Sequence, residues 1–379
     1  AEHVRPLRRP HAGRARGDLA AAGRALGDAD GRLFLAGYRR AGAASAPAGF
    51  SYRTSDPPAA PAKTAAPESA VDVAPAGTFW TRLVRGGRRL RERPDWPGFV
   101  GPHWADRIMD LAVPDRFQAK QGRTTARLVL GADGPAPRRL AVYIKRHYAA
   151  PWWDRLLATL GAADGQSPAF REWDHLEWAR RAGVPVPRPV AAAEFVGPWC
   201  RLRGVLAVEE LHNMLPLNEA VPLAAARLGP AAFGRWKRGL IAEAARLTRL
   251  LHDRRRFHKD FYLCHFFIAR ADAADPEPAW RGRVHLIDLH RLGRHPWAWP
   301  WWRMKDLAQL LYSSEVPGVD ARDRLRFWQA YRGPGPRRPA DRWLLRLVLF
   351  KWGRYRRHNA RRKARGHGTR AGGGGVAAS

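Results

Sequence analysis

The sequence predicts an α+β chain with a small β-rich lobe followed by a larger helical one. Its 379 residues are enough for two lobes with tails. Strand-like runs come mainly in the first half and helical apolar spacing in the second. Hydrophobic residues make up 45%, which supports a sizeable core. The net charge of +33 calls for an anionic partner: nucleic acid, an anionic membrane or a phosphorylated substrate. Two cysteines, Cys200 and Cys264, exclude a disulfide scaffold and a cysteine zinc cluster, and they fit a reducing compartment. No run of eighteen apolar residues occurs, so no membrane-spanning helix is expected, and no apolar signal core is visible at the N-terminus.

Residues 1–75 are rich in Ala, Arg, Gly and Pro and read as a disordered extension, with room for a short helix at Leu19–Tyr38. Residues 76–208 read as the N-lobe. In it Ala126–Leu130 and Leu140–Lys145 form a hairpin across Gly131, Asp133, Gly134 and Pro135. Ser167-Pro168 caps and starts a helix through Phe170, Trp173, Leu176 and Trp178 that ends before Gly183. Val184-Pro185-Val186-Pro187 must be extended, and Leu202–Glu209 is a buried strand. Residues 209–345 read as the C-lobe. A helix covers Phe233–Leu251, with apolar positions at Leu240, Ile241, Ala244, Leu247 and Leu251. His258–Ile268 is a loop entering a short strand, Val284–Asp288 is a second short strand, and helices follow from Arg303. Residues 346–379 read as a basic tail; the last 49 residues hold 14 Lys/Arg against Asp341 alone. No repeat of twenty to fifty residues is visible.

The chemistry concentrates in His258-Lys259-Asp260-Phe261-Tyr262-Leu263-Cys264-His265-Phe266. An Asp in a His-basic-Asp loop, with a metal-site residue five positions on, is the catalytic-loop pattern of protein kinases. There the Asp orients the attacking hydroxyl and the later residue helps hold Mg²⁺. The usual Asn is here His265. Asp288 ends a short apolar strand, the position of the main Mg²⁺ carboxylate, and supplies the hard oxygen that Mg²⁺ prefers. Lys145 ends the strand Val142-Tyr143-Ile144-Lys145, where such folds contact ATP phosphates, and Glu172 on the next helix can pair with it. Singly, each has an ordinary explanation: a surface Lys, a loop-capping carboxylate, a strand-end turn residue, a core histidine. Lys145, Glu172, Asp260 and Asp288 in that order make a common chemical explanation the better one.

The string His258–Phe266, with Ile287-Asp288-Leu289-His290-Arg291, resembles the lipopolysaccharide core heptose kinase family. Lys120-Gln121-Gly122-Arg123-Thr124-Thr125 resembles that family's nucleotide loop, and Arg303–Ser314 is similar as well. The resemblance covers roughly Phe117 to Ser314. It implies a protein-kinase-like bilobal fold that moves the γ-phosphate of ATP, with Mg²⁺, onto a heptose hydroxyl of the lipopolysaccharide inner core. It makes Asp260 the catalytic Asp, assisted by His258 and His265. Asp288, with His265 beside it, becomes the metal residue. Lys145 and Glu172 become the phosphate-contacting pair, with Lys120, Gly122, Arg123 and Thr124 at the phosphates. Glu209 and Leu211, after the Leu202–Val208 strand, become the adenine hinge. Gly122 is the loop's lone glycine, so close backbone approach to phosphate is limited to one point. Asp306 is expected to hold the catalytic loop from below.

Trp and basic residues interleave at Trp297–Arg303, Pro151–Arg155 and Phe79–Arg91, a pattern suited to anionic lipid headgroups. The expected placement is therefore cytoplasmic, peripheral on the inner membrane's cytoplasmic face, with the lipopolysaccharide core and an anionic membrane surface as partners. Nucleic acid is not the expected partner, since no zinc-finger or RNP-type string accompanies the charge. The alternatives are a kinase of the same fold acting on Kdo or on protein, and a non-catalytic kinase-like module binding membrane or nucleic acid.

Overall fold

A computed structural model describes residues 71–73, 79–111, 116–120, 122–132, 138–162, 165–336 and 338–371. Most of the predicted extension, including the short helix at 19–38, lies outside the described residues. Two compact units emerge. One comprises the described residues up to Met214 together with His285–Leu292, and the other comprises Leu215–Val284 and the described residues from Gly293 onward.

The first unit is built on a seven-stranded antiparallel sheet. In chain order its strands are β1 (Val71–Val73), β2 (Gly87–Glu92), β3 (Arg116–Lys120), β4 (Arg123–Ala132), β5 (Arg138–His147), β6 (Pro189–Val196) and β7 (Leu202–Glu209). Their spatial order is β1-β2-β6-β7-β5-β4-β3. The expected hairpin is β4–β5, longer than predicted because its flanking Arg and Thr residues continue the ladder from Arg123↔His147 to Ala132↔Arg138; its connection, 133–137, lies outside the described residues. The Leu202–Glu209 strand is as expected. β2 and β6 were not legible: β2 is mostly charged, and β6 carries Ala191–Ala193, residues that favour helix by propensity and enter a strand only through tertiary pairing. β1 pairs with β2, so the last residues of the predicted extension belong to this sheet.

Helices α1 (Phe79–Val84), α2 (Trp96–Val100), α3 (Trp104–Asp110), α4 (Trp152–Leu160) and α5 (Pro168–Arg181) accompany the sheet. α5 starts as predicted, with Ser167 Oγ accepting the Phe170 N–H at 3.3 Å. Trp96, Trp104, Ile108 and Met109 pack with Val142, Ile144, Val205 and Ala207 into the unit's core. The 285–292 segment, which the sequence boundary assigns to the C-lobe, joins this unit because Leu286 N–H donates to Pro185 O at 2.8 Å and His175 Nδ1 lies 2.9 Å from Leu289 O.

The second unit is mainly helical: α6 (Leu217–Arg227), α7 (Pro230–Asp253), α8 (Trp299–Ser313), α9 (Ala321–Arg332) and α10 (Pro339–Ala371). Met304, Leu307, Trp328, Tyr331, Leu345, Val348 and Trp352 form its core. The sequence boundary at 346 therefore falls inside a helix. Val348, Leu349 and Trp352 recur at helical spacing and are buried, which ties the start of the predicted tail to the core. Short strands Arg256–Phe257 and Gly293–Arg294 pair antiparallel and bracket the start of the predicted catalytic loop.

Candidate active site

In the sheet unit, Lys145 stands on β5 opposite Thr125 of β4 and Leu206 of β7. Its ammonium donates to Glu172 Oε1 at 2.5 Å and lies 3.4 Å from Asp288 Oδ1. Glu172, on α5, is buried, so its charge is neutralised mainly by Lys145. Burial alone would lower the Lys145 pKa, but the Glu172 and Asp288 carboxylates outweigh it and hold the ammonium above its ordinary value. Asp288 has a left-handed backbone, φ 61°, which Asp tolerates better than most residues. The turn aims Oδ1 at three cationic or donor groups: Lys145, Arg123 Nη2 at 3.9 Å and His290 Nδ1–H at 2.7 Å.

Between β3 and β4, Lys120 pairs with Arg123, and Gly122 has φ 72°, the conformation that favours glycine. Thr124, expected to add a phosphate donor, is instead buried, and its hydroxyl accepts from Arg146 Nε at 3.2 Å. Arg146 also donates to the carbonyls of Ile108 and Leu111 at 3.2 and 2.6 Å, so Thr124 belongs to the packing of α3 against the sheet. At the end of β7, Glu209 Oε2 lies 3.4 Å from Arg93, and Leu211 follows just beyond the strand.

The sequence reading missed His147. Two residues after Lys145 and opposite Arg123, it is buried with Nε2 lacking a hydrogen-bond partner among the described residues. Burial, with Arg123, Lys145 and His290 nearby, pushes its pKa down to about 3, so the imidazole is neutral.

In the helical unit, the predicted catalytic loop is held by one face of α8. Asp306 Oδ2 accepts the His258 N–H at 2.8 Å and Oδ1 accepts the Lys259 N–H at 2.9 Å. Gln309 Oε1 accepts the Phe261 N–H at 3.1 Å, and Ser313 Oγ accepts the Leu263 N–H at 2.8 Å. Positions 306, 309 and 313 share a helix face, and Asp306 and Gln309 are buried. Asp306 thus holds the loop as expected; Gln309 and Ser313 were missed, although polar residues at that spacing within an apolar helix were a usable signal. His265 Nδ1 lies 2.7 Å from the Asp260 carbonyl, and its ring stacks on His258 with centroids 5.6 Å apart. The unit thus brings Asp260, His258 and His265 together.

A lysine paired with a buried glutamate beside a left-handed Asp in the sheet unit, and an Asp-bearing loop fastened by a helix in the helical unit, are each features of protein-kinase-like phosphotransferases. The sequence profile of the lipopolysaccharide kinase (Kdo/WaaP) family matches residues 120–331, and the chain belongs to that family. It is 29% identical over 215 residues to lipopolysaccharide core heptose(I) kinase WaaP of Pseudomonas aeruginosa, covering 57% of this chain and 75% of that one. The Escherichia coli K12 protein of the same name is 33% identical over 171 residues, covering 44% of this chain and 60% of that one. A solved structure of WaaP in complex with acyl carrier protein superposes with a TM-score of 0.51 at 25% identity, covering 71% of this chain and 97% of that one. Like other kinases of the family, this one uses ATP.

Proposed function

We propose that the protein transfers the γ-phosphoryl group of ATP to a heptose hydroxyl of the lipopolysaccharide inner core, working at the cytoplasmic face of the inner membrane. The observation that carries this is the Lys145–Glu172–Asp288 cluster in a chain whose named relatives are heptose(I) kinases. Phosphoryl transfer depends mostly on positioning and charge neutralisation. Lys145, fixed by Glu172, presents a permanent cation to the phosphates, and Arg123 adds a second. Lys120 and Gly122, beside Arg123 in sequence, are assigned to the phosphates, and Glu209 and Leu211 to the adenine. Asp260 orients the acceptor hydroxyl. Its loop is fixed through His258 and through the His265–Asp260 hydrogen bond.

The donor set suits Mg²⁺. Asp288 offers a hard oxygen, and Mg²⁺ is ordinarily held by one or two carboxylates plus phosphates and water rather than by a protein cage. Among the described residues no group of three or more His, Cys, Asp or Glu could form such a cage. When bound, Mg²⁺ would neutralise phosphate charge beside Asp288. His265 Nδ1–H donates to the Asp260 carbonyl and so holds the loop, and its imidazole is a poorer partner for Mg²⁺ than the Asp288 oxygen.

The acceptor is membrane-anchored, and among the described residues no helix is long and apolar enough to cross a membrane. Peripheral attachment to anionic lipid therefore goes with this reading, and the +33 charge supports it. An acyl carrier protein is proposed as a further partner, because the solved relative was captured with one. The deciding experiment is mass spectrometry of lipopolysaccharide core from cells with and without the protein, and of core oligosaccharide treated with protein and ATP. One added phosphate on heptose is expected. Phosphate on Kdo instead, or an unchanged core, would overturn the heptose assignment.

A further inference from the structure

We infer that one face of α10, with Trp301 of α8 beside it, is the surface that seats the protein on anionic lipid. α10 buries Leu345, Val348, Leu349 and Trp352 in the core of the helical unit. Its opposite face carries Trp343, Arg346, Leu347, Phe350, Arg354 and Arg357, which share one side at 3.6 residues per turn. Trp343 is 62% exposed, Phe350 61% and Leu347 47%, an apolar row on a helix whose other side is already satisfied. Trp301 is 54% exposed and lies against this face, with Lys351 Nζ 5.2 Å from its ring. Arg346 sits 5.5 Å over the Trp343 ring.

The chemistry of the occupant follows from the charge. From Arg342 to Asn359 there are six Lys/Arg and no Asp or Glu. Exposed aromatics interleaved with cations on one helix face suit the headgroup region, where the ring enters the interface and the cation stays at the phosphates. A neutral protein groove would be met by the apolar row alone and would gain nothing from the cations. The tryptophans of the Trp297–Arg303 run divide. Trp299 and Trp302 are partly covered, under Arg255 at 3.9 Å and beside Lys259 at 5.0 Å, whereas Trp297 and Trp301 face out, and of these Trp301 lies beside Lys351 of α10. The inference rests on the reading that the acceptor is membrane-anchored.

The test is co-sedimentation of the full chain with vesicles of phosphatidylcholine alone or with 30% phosphatidylglycerol, free of lipopolysaccharide (roughly the charge of an anionic leaflet). Wild type should bind the anionic vesicles, less so in high salt, with a blue-shifted tryptophan emission. Trp343→Ala/Phe350→Ala and, separately, Arg346→Gln/Arg354→Gln should each weaken binding by about tenfold or more. Both variants should keep ATP-dependent transfer to a water-soluble core oligosaccharide. The assignment is overturned if both bind as wild type does, or if wild type ignores anionic vesicles. It is equally overturned if binding survives these changes but is lost in Trp152→Ala/Trp153→Ala, which would move the contact to α4. Loss of self-association or of carrier-protein binding, with vesicle binding intact, would also overturn it in favour of a protein occupant. Failure of transfer in wild type, with vesicle binding as expected, would refute the acceptor and leave this face standing.

Discussion

Replacing Asp306 with Ala should destabilise the helical unit and loosen the catalytic loop at once. Asp306 is fully buried, and its two oxygens accept the His258 and Lys259 amides at 2.8 and 2.9 Å, with His252 Nε2 at 3.4 Å from the same group. A hydrogen bond to a charged group contributes about 1.5–3 kcal/mol, and a buried donor stripped of its acceptor costs a similar amount. Losing both amide bonds should therefore cost about 3–6 kcal/mol, a large part of the about 5–15 kcal/mol that holds a typical protein together. In a protein of this size, at an unfolding entropy of about 2.1 cal/mol/K per residue, the midpoint of thermal unfolding should fall by about 5–10 °C. Asp306→Asn, which keeps one carbonyl acceptor but turns an amide group toward an N–H donor, should fall between wild type and Asp306→Ala. Thermal unfolding by circular dichroism, with ATP turnover measured below the transition, checks both effects. The folded fraction of Asp306→Ala should show reduced kcat, because Asp260 is two residues from the released amide of His258. A midpoint within about 2 °C of wild type, well inside what a lost buried bond should move, would refute the idea that α8 carries the loop.

Asp260→Ala and Asp288→Ala should each cost several kcal/mol of barrier, at least about a thousandfold in kcat, with the fold retained; near-normal turnover by folded Asp288→Ala would remove it from the phosphate site. Lys145→Ala should raise KM for ATP and lower kcat, since it deletes the cation that Glu172 fixes; unchanged values for both would send the phosphate contact elsewhere. His265→Asn should keep measurable activity, because an amide N–H can replace the imidazole donor to the Asp260 carbonyl, and complete loss in a folded variant would show that the ring itself is required. The depressed His147 pKa sets a pH dependence of stability. Below its unfolded value near 6.5 the unfolded chain takes up a proton that the folded chain, at about 3, does not. The stabilisation is complete above 6.5 and is lost toward pH 3 at up to about 1.4 kcal/mol per pH unit. Denaturant unfolding between about pH 7 and 5 should show this slope in wild type and a shallower one in His147→Asn.

The helical unit was the more legible half. Leu240, Ala244, Leu247 and Leu251 repeat at helical spacing and are buried or nearly so in α7, whose packing follows directly from that pattern. The sheet unit was legible only where strands carried β-branched or aliphatic runs, as in β5 and β7. β2 escaped because Leu90 is its one large apolar residue, and its Arg side chains are used sideways: Arg89 and Arg91 lie 5.0 and 4.7 Å over the Phe170 ring. The site divided in the same way. Residues with chemistry of their own stood out in the sequence, as did Glu172 and Asp306, whereas the remaining residues that act on them did not. Gln309 and Ser313 offered only their polar spacing within an apolar helix, and His147 had no distinguishing neighbours; their roles come from which amide or cation the fold brings close. The return of His285–Leu292 to the sheet unit was not readable either, because it depends on a main-chain bond to Pro185 and on His175.

The two units prepare their carboxylates by opposite means. The Asp260 loop is fastened by main-chain amides donating to a buried helix face, a device indifferent to salt and to the arrival of charge. Asp288 is instead surrounded by cations and donors, with Lys145 at 3.4 Å, Arg123 at 3.9 Å and His290 at 2.7 Å from Oδ1. Unit charges about 4 Å apart near a protein surface interact by about 4 kcal/mol, so an isolated Lys145–Asp288 pair would close on itself and hide both groups. Glu172 prevents that. It is buried, it binds the ammonium at 2.5 Å, and it leaves Asp288 the longer 3.4 Å contact. The ammonium is thus committed to a partner that phosphate does not displace, while Asp288 Oδ1 keeps its hydrogen bond from His290 and only the longer contact to Lys145. A glutamate in that role has to be inside the sheet unit and has to come from a helix packed on the Lys strand. α5 meets both conditions, because Ser167-Pro168 starts it where Glu172, one turn in, faces β5.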